Sequence, residues 1–336
     1  MPPAAPLARI APLAAAPLFA IRGWSGSGKT TLICDLIPLL RSQGLTIGVV
    51  KHAHHPLKDD PDTDSSRFEA AGASAVVVIE GETGTDELLR TGMAGAPMEI
   101  DCWLVEGFKT VPLDGLEVKE GESRIEVHQA LAMILGWLPR AWASRPSSTG
   151  ILVGGSGRRM GQPKRLLQQK QSSLLAQTLT SINSFKANPV LIGAGILPFD
   201  VVQSTRFDDA PNLAGPLAGV LGAHRARPWT TWMILGCDFP LMTADALAWL
   251  WGQRAPGRWA IWPVLEGRAI PVAAIYEPQI VPTLERAAAN GERSLTRILQ
   301  PHPSCCQIAI PAQHQQAFRS ANTPEEWEAL TGEPIT

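Results

Sequence analysis

Two glycine-rich segments, each directly after a short apolar run, constrain the fold of this chain more than any other feature. The first follows LFAIR and reads GWSGSGKT over residues 23–30. The second follows ILV and reads GGSGRRMG over residues 154–161. A glycine-rich turn between a strand and a helix is how α/β proteins bring backbone N–H groups close to a phosphate. The chain is therefore predicted to contain two α/β units, each with its own phosphate loop.

Apolar runs of strand length recur in both halves of the chain. In the first half the candidate strands are LFAIRG, TIGVVK, SAVVVIE, DCWLVE and LAMILG, and TLICDLIPLLRSQG has helical spacing. In the second half they are ILVGG, PVLIGAG, TTWMILGCD, RWAIWPV and AIPVAAIY, and QSSLLAQTLTSINSF is helix-like. Strands that alternate with helices predict mostly parallel sheets.

The domain boundaries follow from changes in this pattern. Residues 1–17 are rich in alanine and proline and are predicted to be a flexible tail. Residues 138–149 carry prolines and serines without a steady apolar period, which predicts a linker. The two domains are then expected at residues 18–137 and 150–336.

Composition excludes several classes of protein. With 45% hydrophobic and 18% charged residues, the 336-residue chain can bury two cores and fits neither long disorder nor a coiled coil. The net charge of -2 argues against a mainly electrostatic nucleic-acid binder. No apolar run reaches the roughly 18 residues of a membrane span, and the five cysteines lack metal-ligand spacing. We therefore expect a reduced, cytoplasmic protein with neither a nucleic acid nor a membrane as partner.

The first loop matches GxxxxGK[ST] between a predicted strand and a predicted helix, the context that this phosphate-binding motif requires. The motif's lysine reaches the β- and γ-phosphates of a nucleotide, and its threonine holds Mg²⁺. A further carboxylate is expected at the end of a neighbouring strand, where Glu106 is favoured over Asp101 because Asp101 precedes the apolar run. The predicted nucleotide-binding residues are Gly23, Gly26, Gly28, Lys29, Thr30 and Thr31, and the predicted metal ligands are Thr30 and Glu106.

Three of the seven histidines follow the strand TIGVVK, namely His52, His54 and His55. A structural zinc ion is one interpretation of this cluster. A loop that lines the groove of a ligand is the favoured one.

The second loop lacks both the GK[ST] ending and the GxGxxG spacing, so it is neither a second P-loop nor a dinucleotide fingerprint. Its glycines allow close approach of backbone to a nucleotide, and nearby cations suit a triphosphate. Asp238 ends the strand TTWMILGCD at the edge where α/β sheets bind ligands, so it is the predicted Mg²⁺ ligand, with Asp208 and Asp209 as alternatives. The cations are Arg158, Arg159, Lys164 and Arg165.

Four motifs of the first half occur in a specific order: the P-loop, KHAHH at 51–55, DPDTDSSR at 60–67 and VEGFK at 105–109. Together they resemble the molybdopterin-guanine dinucleotide biosynthesis protein B (MobB) family over roughly residues 18–137. The resemblance implies a GTP-binding, weakly hydrolysing adaptor that assists guanylyl transfer. A homodimer through this domain is an arrangement that it allows.

Four motifs of the second half also occur in order: GGSGRRMGQPK at 154–164, Asp209 with GPLAG at 215–219, CDFP at 237–240 and NTPE at 322–325. They resemble the molybdenum cofactor guanylyltransferase (MobA) family of nucleotidyltransferases from about residue 150 to the end. That family often has a second asparagine two residues before NTPE, where this chain has Ser320. Asn322 is therefore the expected site residue.

Together the resemblances imply an α/β chain in which a P-loop NTPase fold precedes a Rossmann-like nucleotidyltransferase fold. The implied reaction transfers GMP from GTP to the terminal phosphate of molybdenum-loaded molybdopterin and releases pyrophosphate, with Mg²⁺ as cofactor. Molybdoenzyme apoproteins and molybdenum-insertion proteins are the implied protein partners.

The implied catalytic residues are Arg159, Lys164 and Asp238, with Asp238 as the metal ligand. The implied binding residues are Val153, Gly154, Gly155, Lys164, Asp209, Gly215 and Asn322, with Asp209 near guanosine or the metal and Asn322 on the pterin side.

Sequence features that bear on the base of the donor nucleotide point in two directions. Gly154 and Gly155 match the guanylyl-transferring members, whereas Gln162-Pro163-Lys164 is typical of the cytidylyltransferases for the same cofactor. We expect GTP, and a cytidylyltransferase that uses CTP is the competing hypothesis. Two hypotheses from different functional classes also stay open: a P-loop small-molecule kinase with an accessory domain, and a non-catalytic GTP-binding carrier.

Overall fold

A computed structural model describes residues 15–53, 64–118, 126–154, 160–169, 172–186, 189–201 and 204–334. The chain divides into two compact units, residues 1–145 and residues 146–336. No helix within the described ranges is long and apolar enough to cross a membrane.

The N-terminal unit is built around a five-stranded sheet. Its strands are β1 (Leu18–Gly23), β2 (Ile47–Ala53), β3 (Ala75–Glu80), β4 (Cys102–Glu106) and β5 (Gly115–Val118). Its helices are α1 (Lys29–Ser42), α2 (Asp64–Ala70), α3 (Asp86–Met93) and α4 (Val127–Ala143). The strand order is β3-β2-β4-β1-β5, and every pair is parallel, as predicted for this half.

Helices cover both faces of this sheet. Neighbouring residues of a strand point to opposite faces, so each strand contributes to both cores. Phe19 and Ile21 of β1 belong to the core beneath α1 and α4, whereas Ala20 belongs to the core beneath α3. Gly48 pairs with Trp103 across β2 and β4, and a Cβ at Gly48 would lie 2.3 Å from the Trp103 ring. The glycine therefore makes room for the indole at the centre of the sheet.

The prediction of a strand at LAMILG was wrong. These residues lie inside α4, whose buried positions are Ala130, Ile134, Leu138 and Trp142. A four-residue spacing places these side chains along one face of a helix. The dense apolar run conceals that period, and the prediction mistook it for a buried strand.

The predicted tail and linker also differ from the structure. Ala15 and Ala16 are buried, and Arg145 donates a hydrogen bond to the Ala15 carbonyl over 2.5 Å, so the packed part of the N-terminal unit already includes residue 15. Residues 1–14 lie outside the described part. Within the predicted linker 138–149, α4 continues to Ala143 and the next strand begins at Ser147. Three residues, 144–146, separate these two elements.

The C-terminal unit contains an eight-stranded mixed sheet with helices on both faces and a small two-stranded ribbon. The strands are β6 (Ser147–Leu152), β7 (Gln168–Gln169), β8 (Ser172–Ser173), β9 (Val190–Ile192), β10 (Arg206–Phe207), β11 (Thr231–Gly236), β12 (Ala260–Leu265), β13 (Arg268–Ala269), β14 (Ala273–Tyr276) and β15 (Cys305–Ala309). The helices are α5 (Leu174–Phe185), α6 (Pro216–Ala226), α7 (Ala244–Trp251), α8 (Val281–Ala289), α9 (Leu295–Leu299) and α10 (Pro324–Thr331).

The main sheet has the order β10-β9-β6-β11-β14-β12-β13, and β15 pairs with β12. The four strands from β10 to β11 are parallel, but β14 runs antiparallel to β11 and to β12. The expectation of a mostly parallel sheet therefore holds for these four strands but not for the part of the sheet that contains β14. The two-residue turn between β12 and β13 has positive φ at Glu266 (50°) and Gly267 (77°), the combination that closes a tight hairpin and reverses the chain.

The position of β6 fixes where a ligand is expected. The chain proceeds from β6 through α5 to β9 on one side, and later through α6 to β11 on the other side. In open α/β sheets, ligands bind beyond the carboxyl ends of strands at such a switch point. The second glycine-rich loop begins at this point.

Candidate functional site

The first candidate site is the loop between β1 and α1. Gly26 and Gly28 have φ of 78° and 89°, a left-handed conformation that other residues rarely adopt. A Cβ at Gly23 would lie 2.4 Å from the Val118 carbonyl oxygen. Helix α1 begins at Lys29, and the N–H groups of its first turn have no acceptor within the helix. The loop can therefore surround an anion, as the sequence predicts.

Lys29 lies across this loop. Its Nζ donates a hydrogen bond to the Trp24 carbonyl oxygen over 2.5 Å. Burial lowers the pKa of Lys29, and the nearby Glu106 carboxylate opposes that shift. The ammonium group therefore sits where a phosphate could replace the Trp24 carbonyl as its partner.

Glu106 is the last residue of β4. Its Cα pairs with Ile21 of β1 and Lys51 of β2, so it lies beside the loop that follows β1. The Thr30 hydroxyl donates a hydrogen bond to Glu106 Oε1 over 3.1 Å, which brings the two predicted metal ligands together. Glu106 Oε2 is buried and has no hydrogen-bond partner within the described residues. An orphaned carboxylate oxygen beside a threonine hydroxyl fits a hard cation such as Mg²⁺.

Asp101, the less favoured carboxylate, does not face this loop. It is fully buried, and its Oδ2 accepts a hydrogen bond from the Thr46 backbone N–H over 2.8 Å. It therefore ties the start of β4 to the start of β2, at the opposite end of the strands from Glu106.

Burial raises the pKa of Glu106, an effect that the positive charge of Lys51 partly offsets. Lys51 itself forms an ion pair with Asp64 at the start of α2. The sequence motifs contain both residues but do not indicate that they pair. The Lys51–Asp64 pair therefore ties β2 to α2 beside the loop.

The histidine cluster is only partly within the described residues. His52 is buried, its Nε2 lies 2.9 Å from the Gly81 carbonyl oxygen, and its ring packs 4.8 Å from that of Phe108. His54, His55, Asp60 and Pro61 lie outside the described residues. In its described part, this segment supports the turn after β4.

Replacing Glu106 with glutamine should raise the thermal unfolding midpoint of the nucleotide-free protein at neutral pH, because it removes a carboxyl group that is buried at an energetic cost. The folded carboxyl has a raised pKa, so the unfolded chain ionises first as pH rises. The parent therefore loses stability between the unfolded pKa, about 4.3, and the higher folded pKa. Thermal melts across this pH range should show that the unfolding midpoint of the parent falls relative to that of the variant as pH rises.

The exposed Glu117 of β5 supplies the matched control, since Glu117→Gln should leave the midpoint unchanged. The same Glu106→Gln variant should bind GTP with Mg²⁺ more weakly. A less stable Glu106→Gln protein at neutral pH would contradict the assignment of an unfavourable buried charge.

The second candidate site lies beyond the carboxyl ends of β6 and β11. Lys164 begins a 3₁₀ turn, and its Nζ lies 3.2 Å from Asp238 Oδ2 and 2.8 Å from Asn322 Oδ1. Asn322 Nδ2 donates to Ser320 Oγ over 3.2 Å. The structure thus brings together three predicted site residues that are up to 158 positions apart.

Backbone contacts fix this cluster. The Asp238 carbonyl accepts a hydrogen bond from the Ala321 N–H over 3.0 Å, which ties the segment after β11 to the segment before α10. A Cβ at Gly236 would lie 2.5 Å from Asp238 Oδ1, so the glycine leaves space for the carboxylate to fold back over the strand end. Thr323 caps α10 by accepting from the Glu326 N–H over 3.3 Å.

Asp209 lies on the other side of β6, among glycines. Ideal Cβ atoms on Gly154, Gly193 and Gly219 would come within 3.1–3.7 Å of its carboxylate oxygens. Burial and the neighbouring Asp208 raise the pKa of Asp209, and a hydrogen bond from the Ala194 N–H opposes the shift. Asp209 therefore forms a separate acceptor beside the glycine loop, apart from the Lys164 cluster.

The remaining predicted site residues differ in how much of them faces the site. Val153 has a fully buried side chain, so only its backbone faces the site. Gly154 is exposed, and Gly215 has φ of 76° at the N-cap of α6 with open space around it. Gly155, Arg158 and Arg159 lie outside the described residues.

Arg165 was predicted with the phosphate-binding cations, and that prediction was wrong. The residue is 7% exposed, and its guanidinium donates to the carbonyl oxygens of Val153 and Ile196 over 3.1 and 2.7 Å. The sequence pattern cannot distinguish a cation that faces a ligand from a neighbouring one that holds loops together.

No group of three metal-ligating side chains occurs within the described ranges. Each candidate site instead offers one carboxylate, Glu106 or Asp238, beside a phosphate-binding loop. Mg²⁺ often binds proteins through one or two carboxylates while phosphate and water oxygens complete its shell. The donor sets therefore fit Mg²⁺ held jointly with a nucleotide.

Comparison with known proteins matches both halves. Residues 18–134 match the family described as molybdopterin guanine dinucleotide synthesis protein B (MobB), and residues 149–306 match the MobA-like NTP transferase domain. The molybdenum cofactor guanylyltransferase of Serratia proteamaculans is 32% identical over 196 residues, which are 54% of this chain and 94% of that protein. The chain belongs to the molybdenum cofactor guanylyltransferase family. Its MobA-like domain is preceded by a MobB domain, so both resemblances are confirmed.

The MobB domain has shorter matches. The molybdopterin-guanine dinucleotide biosynthesis adapter protein of Escherichia coli is 39% identical over 104 residues, 28% of this chain and 59% of that protein. The chain thus spans about three fifths of the length of the curated adapter proteins it matches. A crystal structure of molybdopterin-guanine dinucleotide biosynthesis protein A from Archaeoglobus fulgidus is 21% identical, with a TM-score of 0.45, and covers 55% of this chain and 97% of its own.

Proposed function

We propose that the MobA-like domain transfers GMP from GTP to the terminal phosphate of molybdenum-loaded molybdopterin, releasing pyrophosphate. The MobB domain acts as a GTP-binding adaptor to this reaction. The observation that carries the proposal is the contact of Lys164 with both Asp238 and Asn322 beside the glycine-rich loop after β6. The cluster supports the proposal because it combines a cation, an anion and an amide, the groups that a triphosphate with Mg²⁺ and an acceptor phosphate need.

In this reaction an acceptor phosphate oxygen attacks the α-phosphorus of GTP in line with the departing pyrophosphate. The protein's contribution is positioning and charge neutralisation, without a covalent intermediate. Lys164 and Arg159 neutralise the triphosphate, and Asn322 faces the pterin side. Asp238 would hold Mg²⁺, which supplies further charge neutralisation at the phosphate oxygens.

The nucleoside lies on the opposite side of β6 from Asp238. There the exposed Gly154 leaves room for a purine, and Asp209 offers carboxylate oxygens to base or ribose donors. These features support GTP as the donor. CTP is the principal competing donor because Gln162-Pro163-Lys164 follows the cytidylyltransferase pattern.

In the MobB domain, the P-loop glycines, Lys29, Thr30, Thr31 and Glu106 bind GTP with Mg²⁺. The proposed partners of the whole chain are molybdoenzyme apoproteins and molybdenum-insertion proteins in the cytoplasm. Dimerisation through the MobB domain is part of the same proposal.

The decisive experiment incubates the full chain with Mg²⁺, molybdenum-loaded molybdopterin and either GTP or CTP, and identifies the dinucleotide product. We expect kcat/KM to favour GTP by at least about tenfold, roughly 1.4 kcal/mol of transition-state binding. Lys164→Ala should abolish most of this transfer. Lys29→Ala should remove GTP binding at the P-loop and leave transfer by the MobA-like domain in place.

Each competing hypothesis has its own outcome in this experiment. Faster transfer from CTP would replace the guanylyl assignment by a cytidylyl one. Movement of the γ-phosphate instead of the α-phosphate would indicate a kinase, and binding without product would indicate a carrier. Equal loss of transfer in Lys29→Ala and Lys164→Ala would contradict two separate nucleotide sites.

A further inference from the structure

The side chain of Arg165 is buried although it directly follows Lys164 in the same 3₁₀ turn. Only 7% of Arg165 is exposed. Its Nε donates to the Ile196 carbonyl oxygen over 2.7 Å, and its Nη1 donates to the Val153 carbonyl oxygen over 3.1 Å. One guanidinium group therefore connects three segments: the turn with Lys164, the end of β6, and the loop after β9.

The loop after β9 is shaped to receive this group. Gly195 has φ of 127°, and a Cβ there would lie 2.3 Å from Arg165 Nη2. The glycine thus provides the space that the guanidinium fills. Arg206 donates to the carbonyl oxygens of Gly193 and Gly195 over 2.7 and 2.9 Å, which holds the same loop from its other side.

Both anchor points of Arg165 adjoin the proposed donor site. Val153 directly precedes Gly154, where the glycine-rich loop begins. Ile196 follows Gly193, beside which the Asp209 carboxylate lies. A rigid, planar guanidinium with several donors suits such a junction, because it fixes the relative positions of its acceptors.

We propose that Arg165 is a positioning residue that sets the location of the Lys164 ammonium relative to Asp238 and Asn322. It acts through the 3₁₀ turn and does not touch the nucleotide. The placement of Lys164 depends on contacts within the protein alone. The effect on catalysis rests on the proposed function.

The primary test measures how fast Lys164 reacts with an acetylating reagent, by mass spectrometry of the full chain without ligands. In the parent, its side chain is 19% exposed and engaged with Asp238 and Asn322, so labelling should be slow. In Arg165→Ala the turn loses its anchors, and labelling of Lys164 should rise several-fold. Lys186 is the internal reference. Its Nζ donates a hydrogen bond to Ser147 Oγ and lies over the Trp251 ring, and its labelling rate should not change.

Transfer kinetics give the second readout. Arg165→Ala should lower kcat for guanylyl transfer by about 10- to 100-fold, because a displacement of a catalytic group by about 1 Å costs that much. Added guanidinium ion should restore part of the rate. Arg297→Ala, at a 77% exposed arginine of α9, is the matched control and should change neither the labelling nor kcat.

Gly195→Ala tests the same contact from the other side. Its methyl group would displace the guanidinium, so labelling of Lys164 should rise as in Arg165→Ala. The double variant should show little further increase, since residues that act through one contact are not additive. Fully additive effects would contradict the role of Gly195 in seating Arg165.

Unchanged labelling of Lys164 in Arg165→Ala would overturn the inference, whatever the activity. If that variant does not fold, Arg165→Lys takes its place, and parent-like labelling together with parent-like kcat in it would also overturn the inference. Increased labelling with no transfer by the parent would leave the inference standing and remove the proposed function.

Discussion

Replacing Asp238 with asparagine should lower kcat for guanylyl transfer by about 10²- to 10³-fold, which corresponds to about 3–4 kcal/mol of barrier. The substitution keeps the shape of the side chain but removes the negative charge that faces Lys164 and that would hold Mg²⁺. Strand β11 is fully buried, and Asp238 lies beyond its end with a partly exposed side chain, so the fold should persist. Steady-state transfer rates at saturating GTP and molybdopterin measure the effect.

Asp245→Asn is the matched control. Asp245 is exposed in the first turn of α7, in the same unit as Asp238 but outside the cluster around Lys164. Its substitution should leave kcat close to that of the parent. If Asp238→Asn also transfers GMP at the parent rate, the metal role would move to Asp208 or Asp209, on the other side of β6.

Replacing Glu277 with alanine should lower the free energy of unfolding of the C-terminal unit by about 3–5 kcal/mol, because it leaves a buried cation without its carboxylate. Glu277 is fully buried after β14, and its Oε1 accepts from Arg254 Nε over 2.8 Å. Its Oε2 accepts from the Thr231 hydroxyl over 2.6 Å, and Arg254 also donates to that hydroxyl over 3.1 Å. Hydrogen exchange of the β11 and β14 amides measures the loss within this unit.

Glu285 offers a control that differs mainly in burial. It forms two hydrogen bonds with Arg225, of 2.9 and 2.8 Å, but both side chains are more than one third exposed. Exposed pairs contribute about 0–1 kcal/mol, so Glu285→Ala should have little effect. Equal losses in the two variants would show that burial does not determine the stability of these pairs.

Local sequence signals were sufficient for the P-loop. Strand, glycine turn and helix are contiguous there, and Lys29 and Thr30 take their positions from the first turn of α1. Glu106 was predictable because strands that neighbour a P-loop strand end at the same edge of a parallel sheet. The orphaned Oε2 atom and the raised pKa of Glu106 depend on burial, which the sequence does not show.

Contacts between distant segments were not predictable from the sequence. Lys164 and Asn322 belong to separate motifs, and their 2.8 Å contact depends on how the segment before α10 returns to the end of β11. Arg165 and Lys164 have the same charge and adjacent positions, and only packing separates their roles. Strand β5 was missed because GLEV is short and half exposed, so it has little apolar periodicity.

The reversal of strand direction between β11 and β14 divides the rim of the proposed active site into two parts. On one side, Gly154 and the loop with Gly193 come after the parallel strands β6 and β9. On the other side, the chain enters the antiparallel strand β14 from the rim, and the Val272 carbonyl there accepts a hydrogen bond from the Gly236 N–H over 2.6 Å. Insertions between β13 and β14 would therefore reshape the wall beside Asp238 without altering the chain that surrounds Asp209. A change of length in that segment would therefore leave the proposed nucleotide-donor side of the site as it is.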